Sequence, residues 1–196
     1  MFLNAAESRK ALAAREEALA TYISPRDIKG RTVHWAILEG EIGRALVAVC
    51  DGALCWISMD DLGDRQMRQR FMEVWGAADL QERQLPLMKQ ALKAKPPALP
   101  LLLVGTPFQH SVWKLLLRIP RGNLVRYGDI ALAMKKPNAA RAVGNAVGSN
   151  PVTWVVPCHR VGHSNGSLHG FGWGEACKRR FLGLEINGFE QPKNRA

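Results

Sequence analysis

The chain opens with a charged, alanine-rich stretch in which Leu12 and Leu19 stand one heptad apart, which predicts a helix over Ala5–Ala20. Ser24-Pro25 and Gly30 then break the chain. Three short apolar runs follow, Val33–Leu38, Ala45–Cys50 and Ala53–Ser58, separated by Glu39-Gly40-Glu41 and Asp51-Gly52. Apolar runs of this length between turn residues predict strands, and Asp-Gly is a strong hairpin signal. Leu62–Trp75 and Leu85–Ala94 predict helices.

Lys95-Pro96-Pro97-Ala98-Leu99-Pro100 is the clearest linker, and Leu99–Gly105 reads as a short strand. Thr106 offers an N-cap with Pro107 in the first helical turn. Phe108, Val112, Leu115 and Leu116 then form one stripe of a helix that Ile119-Pro120-Arg121-Gly122 stops. Tyr127–Met134 and Ala139–Ser149 predict two helices around the turn Lys135-Lys136-Pro137-Asn138, the spacing of a helix-turn-helix. Val152–Val156 predicts a strand running up to Pro157. The expected fold class is α/β (α+β). A helical extension (1–30) precedes a small sheet-plus-helices domain with its linker (31–98), and a mostly helical C-terminal domain (99–196) carries the helix-turn-helix.

Composition narrows the function. The 196 residues suffice for one or two small domains with real cores, and no segment has the apolar length of a membrane helix. The N-terminal stretch lacks a signal peptide's apolar core, so the expectation is a cytoplasmic protein with no membrane partner. Cys50, Cys55, Cys158 and Cys177 show no CxxC spacing, so free thiols and no metal are expected. Cys50, Cys55 and Cys177 read as packing residues. The net charge is +10, yet residues 1–105 carry only +1 and residues 106–196 carry +9. A basic half is the footprint of a polyanionic partner, or else merely a soluble surface.

In the second helix of the pair, Ala139, Val143, Ala146 and Val147 form an inward stripe. The outer face carries Arg141, Gly144, Asn145 and Gly148. Glycine inside a helix costs about 1 kcal/mol, so these two need a reason. Close approach of a partner is one, and tight packing between helices is the other. A lone arginine among small residues suits insertion into a base stack, where it would fill the gap left by an extruded nucleotide. A narrow minor groove would also favour small residues.

Pro157-Cys158-His159-Arg160 holds a thiol beside an imidazole. It is either an activated nucleophile or a buried thiol beside a surface histidine. Neighbours on a strand point to opposite faces, so Cys158 and His159 meet only if the chain turns at Pro157, or through a water. As a base His159 would need a third group to orient it, and Glu185 is a candidate among the few acids of this half.

Pro157-Cys158-His159-Arg160-Val161 resembles the active-site signature of the O6-alkylguanine-DNA alkyltransferases, the methylated-DNA–protein-cysteine methyltransferases. In order and spacing, so do Gly105-Thr106-Pro107-Phe108-Gln109, Val112-Trp113, Ile119-Pro120-Arg121-Gly122, Tyr127-Gly128-Asp129-Ile130-Ala131, Ala140-Arg141-Ala142-Val143-Gly144 and Asn150-Pro151. Gly166, Gly170, the Lys178 region and Glu185 complete the match.

The resemblance implies a single-turnover DNA repair protein without cofactor, acting as a monomer on double-stranded DNA that carries alkylated guanine, with O4-alkylthymine as a further substrate. Cys158 would accept the alkyl group irreversibly. His159 would deprotonate it through a water, with Glu185 holding His159 and Asn150 as the hinge between recognition helix and active-site strand. Arg141 would replace the flipped guanine, and Tyr127 would help rotate the nucleotide out. Ala140, Gly144 and Asn145 would lie against DNA, and the backbone of Cys158 and Val161 would read the guanine edge.

The chain departs from the family in three places. Phe171 stands where tyrosine is usual and Trp173 where many members have glycine, so the pocket is expected to favour methyl over bulky adducts. Lys135-Lys136 replaces a more usual glycine, which adds a phosphate contact. The competing readings are a non-catalytic relative that binds alkylated DNA and signals damage, a transcriptional regulator and a cysteine hydrolase. Cys158 argues against the first, the lack of clustered cysteines against the second, and the basic half with Arg141 against the third.

Overall fold

A computed structural model describes residues 2–13, 20–59, 63–163 and 165–186. A six-stranded sheet forms the N-terminal half, in the order β1 (Ala20–Ile23), β6 (Leu101–Val104), β4 (Ala53–Met59), β3 (Ala45–Cys50), β2 (Thr32–Leu38) and β5 (Asp79–Glu82). The β2–β3 and β3–β4 pairs are antiparallel, while β1–β6, β4–β6 and β2–β5 are parallel. Asp51 and Gly52 both take positive φ, 51° and 74°, the backbone that a tight two-residue hairpin requires.

The unbroken apolar run of β3 follows from burial on both faces. Leu46, Ala48 and Cys50 join Met67, Phe71 and Trp75 of α2 (Gly63–Trp75). Val47 and Val49 face the other way, into a core shared with Met88 of α3 (Pro86–Ala91) and with Val112, Trp113 and Leu116 of α4 (Pro107–Leu116). Truncating a fully buried ring such as Phe71 would cost about 3–5 kcal/mol.

The C-terminal half continues through β7 (Val125–Arg126), α5 (Tyr127–Ala133), α6 (Ala140–Gly148), β8 (Val161–Gly162) and α7 (Glu175–Glu185). Thr106 caps α4: its hydroxyl accepts from Gln109 N–H at 3.3 Å, and the Gln109 side chain returns to Thr106 N–H at 2.8 Å.

Three expectations are corrected. The first helix, α1, spans Ala5–Ala13, and Ala20 begins a strand instead; Leu19 lies outside the described residues. Thr21-Tyr22-Ile23 pairs in register with Leu102, Leu103 and Val104, and that pairing overrides the helix-like composition upstream. The strand placed at the head of the C-terminal unit is therefore an interior strand of the N-terminal sheet. Third, residues 152–156 form no strand but a tight reversal between Pro151 and Pro157. Val152 bridges Ile57, Thr153 bridges Val156, and Val156 N–H donates to Val152 O at 2.9 Å.

Candidate active site

The reversal at 152–156 decides how the reactive residues meet. Asn150 is buried beneath it; its Nδ2 donates to Val156 O at 2.8 Å and its Oδ1 accepts from Val152 N–H at 3.1 Å. Both loop ends are thereby tied to the residue that leaves α6. Trp154 sits at φ +74°, a conformation that costs a bulky residue about 1–3 kcal/mol. Its ring is held on four sides. It stacks on His159 at 5.2 Å, meets Phe181 at 4.8 Å, lies under Arg121 and donates Nε1–H to Lys93 O at 3.0 Å.

Beyond Pro157 the chain turns into a 3-10 segment, Cys158–Arg160. Cys158 Sγ lies 3.3 Å from Thr153 Oγ1. Burial raises the thiol pKa, and hydrogen bonding from Thr153 and Asn150 and the charge of Lys178 partly offset it. Lys178 Nζ donates to Val161 O at 2.7 Å, and burial lowers its pKa to about 8.

His159 is fully buried and no surface histidine. Its Nε2 lies 2.9 Å from Glu185 Oε1. Glu185 also accepts from Arg160 Nη2 at 2.7 Å and from Gly122 N–H at 3.2 Å. Burial alone would raise Glu185, but hydrogen bonds from His159 and Arg160 outweigh it and hold the carboxyl below its ordinary range. A carboxylate only accepts, so Nε2 carries the imidazole proton and Nδ1 is the free basic nitrogen. Burial pushes His159 down to about 4, so it is neutral near pH 7. Nδ1 is buried with no hydrogen-bond partner among the described residues.

Tyr127 opens α5. Asp129 caps that helix, accepting Arg126 N–H at 3.0 Å. Burial, and then the nearby Cys158, raise the tyrosine pKa. Tyr127, Ala140, Arg141, Gly144 and Asn145 line one groove of about 640 Å³ with His163. Val143, Ala146 and Val147 face inward as expected, and Trp113 Nε1–H fixes α6 to α4 through Ala146 O at 2.8 Å.

The glycines of α6 distinguish the two readings left open above. A Cβ on Gly148 would meet nothing within 4 Å, and one on Gly144 only Tyr127 carbons at 3.9 Å. Packing inside the protein does not require either glycine.

Val161 is buried in the β7–β8 ladder, and Phe171 packs on Phe181 at 6.4 Å. Lys135 and Lys136 are exposed on the turn and do not line the groove; Lys135 takes φ +57°. Trp173 is buried, with the Arg70 guanidinium 4.7 Å above its ring and Arg70 Nη1 donating to Gly172 O at 2.9 Å. Sequence reasoning missed Thr153, Trp154, Arg160, Lys178 and Arg70. Lys178 hides in a Lys-Arg-Arg run that reads as solvated charge, and Arg70 comes from the other half of the chain. Among the described residues no group of three or more His, Cys, Asp or Glu is placed to hold a metal.

A buried thiol, an oriented neutral imidazole and a groove beneath a helix-turn-helix define a DNA-directed cysteine alkyl acceptor. The family model for the 6-O-methylguanine DNA methyltransferase DNA-binding domain matches residues 107–187. The bifunctional transcriptional activator/DNA repair enzyme Ada of Escherichia coli K12 is 34% identical over 167 residues, 81% of this chain and 47% of Ada. The O6-methylguanine methyltransferase structure of Mycobacterium tuberculosis aligns at TM-score 0.63 and 32% identity, covering 83% of this chain and 96% of that one. The OGT of the same organism in complex with DNA aligns at 0.59 and 33% identity, covering 78% and 92%. The chain thus belongs to the methylated-DNA–protein-cysteine methyltransferase family. It spans about half the length of the curated relatives it matches.

Proposed function

We propose that this protein repairs DNA by moving the alkyl group of O6-alkylguanine, preferentially methyl, onto its own Cys158 in one irreversible turnover. The observation that carries this reading is the order Cys158, His159, Glu185, with the only unpartnered imidazole nitrogen of His159 left free to act as base.

The groove side of α6 meets the duplex. Arg141, the longest side chain of that face, fills the place of the everted guanine, and the bare backbone at Gly144 and Gly148 lets the helix come close. Lys135 and Lys136 bind phosphate at the turn. Tyr127 faces the same groove with its phenol kept protonated by burial, so it is placed to donate a proton to the leaving base.

His159 Nδ1 takes the Cys158 proton through a water, and the resulting imidazolium is stabilised by Glu185 at 2.9 Å. Cys158 Sγ then attacks the alkyl carbon in line, the carbon–O6 bond breaks, and its electron pair leaves with guanine, which is protonated. The thioether left on Cys158 has no easy hydrolytic exit, so each molecule acts once. O4-alkylthymine would be a slower substrate. The protein works as a cytoplasmic monomer; no helix among the described residues is long and apolar enough to cross a membrane.

The test is stoichiometry. A duplex carrying O6-methylguanine within a restriction site regains cleavage on repair. Repair should stop at one lesion per protein molecule, and Cys158→Ala should repair none. Continued turnover, or repair by the alanine variant, would refute the assignment.

A further inference from the structure

The N-terminal segment has no part in the chemistry above, yet it lies along the recognition half of the molecule. Phe2 bridges Leu124, and Leu3 N–H donates to Leu124 O at 2.8 Å. Arg126 Nη1 donates to Leu3 O at 2.9 Å, with its guanidinium 5.2 Å from the Phe2 ring centroid. The Phe2 ring fills the space beside Gly162, where a Cβ would stand 2.6 Å from Phe2 Cζ.

Further on, Ser8 is 1% exposed and donates its hydroxyl to Asp129 Oδ2 at 3.0 Å. That oxygen is the one that caps α5 through Arg126 N–H. Arg118 Nη1 secures the far end on Leu12 O at 2.9 Å.

These contacts converge on β7, β8 and the first turn of α5. β8 directly follows the Cys158 turn, and α5 begins with Tyr127. A buried hydroxyl on a capping carboxylate is directional, unlike apolar packing. It fixes how the first turn of α5 sits on the rest of the protein.

We propose that residues 2–13 are a positioning strap, which holds Tyr127 and the β7–β8 ladder in the arrangement that receives an everted nucleotide. Ser8 and Phe2 are its positioning residues, acting through Asp129, Arg126 and Gly162. The proposal rests on the alkyl-transfer reading above. The strap governs reaction with a base delivered from a duplex, whereas a free base diffusing to Cys158 does not need it.

The experiment compares the full chain with Ser8→Ala and Phe2→Ala. Transfer to Cys158 is followed by mass on two substrates, a duplex containing O6-methylguanine and the free O6-methylguanine base. Both variants should lose about three- to tenfold in the saturating duplex rate, the range of one or two lost hydrogen bonds. The duplex concentration for half-saturation should change less, and the free-base rate should stay within about twofold of wild type. Duplex rates equal to wild type in both variants would overturn the strap, as would a parallel fall on both substrates, which marks general loss of structure. A wild-type protein that modifies neither substrate would instead overturn the alkyl-transfer reading and the strap with it.

Discussion

Replacing Gly144 with alanine separates fold from function. Gly144 lies in the middle of α6, and an added Cβ would touch only Tyr127 Cδ1 and Cε1, at the ordinary contact distance of 3.9 Å. Alanine in a helix interior is favoured over glycine by about 1 kcal/mol, chiefly through backbone entropy. For a chain of this size that raises Tm by about 2–4 °C. The same methyl projects into the groove lined by Arg141 and Asn145. If a duplex seats against this backbone, the methyl overpacks the interface at about 1–3 kcal/mol, a loss of affinity of roughly fivefold to more than a hundredfold. Thermal melts and fluorescence anisotropy with a labelled duplex measure both sides. A variant that is more stable and binds like wild type would refute the close-approach reading. A variant that is less stable would show that the glycine serves internal packing after all.

Four other outcomes are expected. Glu185→Gln leaves Arg160 and His159 without their carboxylate, so stability should fall by about 3–5 kcal/mol and the alkyl-transfer rate by about a hundredfold; a rate within threefold of wild type would contradict the role of His159 as base. Unfolded histidine takes a proton near 6.5 but folded His159 only near 4, so its contribution is fully present above 6.5 and lost as pH falls toward 4, with Glu185 acting in the same direction; urea midpoints that do not fall across this window would contradict the buried neutral pair. Lys135→Gly relieves a positive φ of 57° and should stabilise the fold by about 1 kcal/mol while flattening the salt dependence of DNA binding. Arg70→Ala releases Gly172 O and the Trp173 ring, so proteolysis within 163–172 should quicken, and a benzyl adduct on guanine, expected to react more slowly than methyl in wild type, should gain relative to methyl; equal rates in wild type would remove the case for a narrow pocket.

The elements with clean periodicity were legible from residues alone. The β3 and β4 runs, the Asp51-Gly52 hairpin and the capped α4 lie within a residue or two of expectation, because each follows from local rules of alternation, turn chemistry and capping. β5 was not legible: Asp79-Leu80-Gln81-Glu82 is polar and becomes a strand only because β2 offers a parallel edge. Residues 152–156 mislead for the opposite reason. They are as apolar as a strand but are folded into a reversal by flanking prolines and the Asn150 side chain, a tertiary constraint with no local signal. At the site, Cys158, His159, Glu185 and Asn150 do come together, but the resemblance rather than spacing joined Glu185 to His159 across the chain. Thr153, Trp154 and Lys178 were invisible because only burial distinguishes them from ordinary loop and surface residues. The Gly144 and Gly148 question stayed open on sequence because it depends on what surrounds a missing Cβ.

The central claim is that Cys158 is a reagent consumed with the lesion, and intact-mass measurement tests it most directly. After incubation with an excess of duplex containing O6-methylguanine, the whole protein should gain the mass of one CH2. Peptide mapping should place it on Cys158, and Cys158→Ala should gain nothing. Tight binding to the duplex with no gain in mass, or a methyl on any residue other than Cys158, would contradict the account.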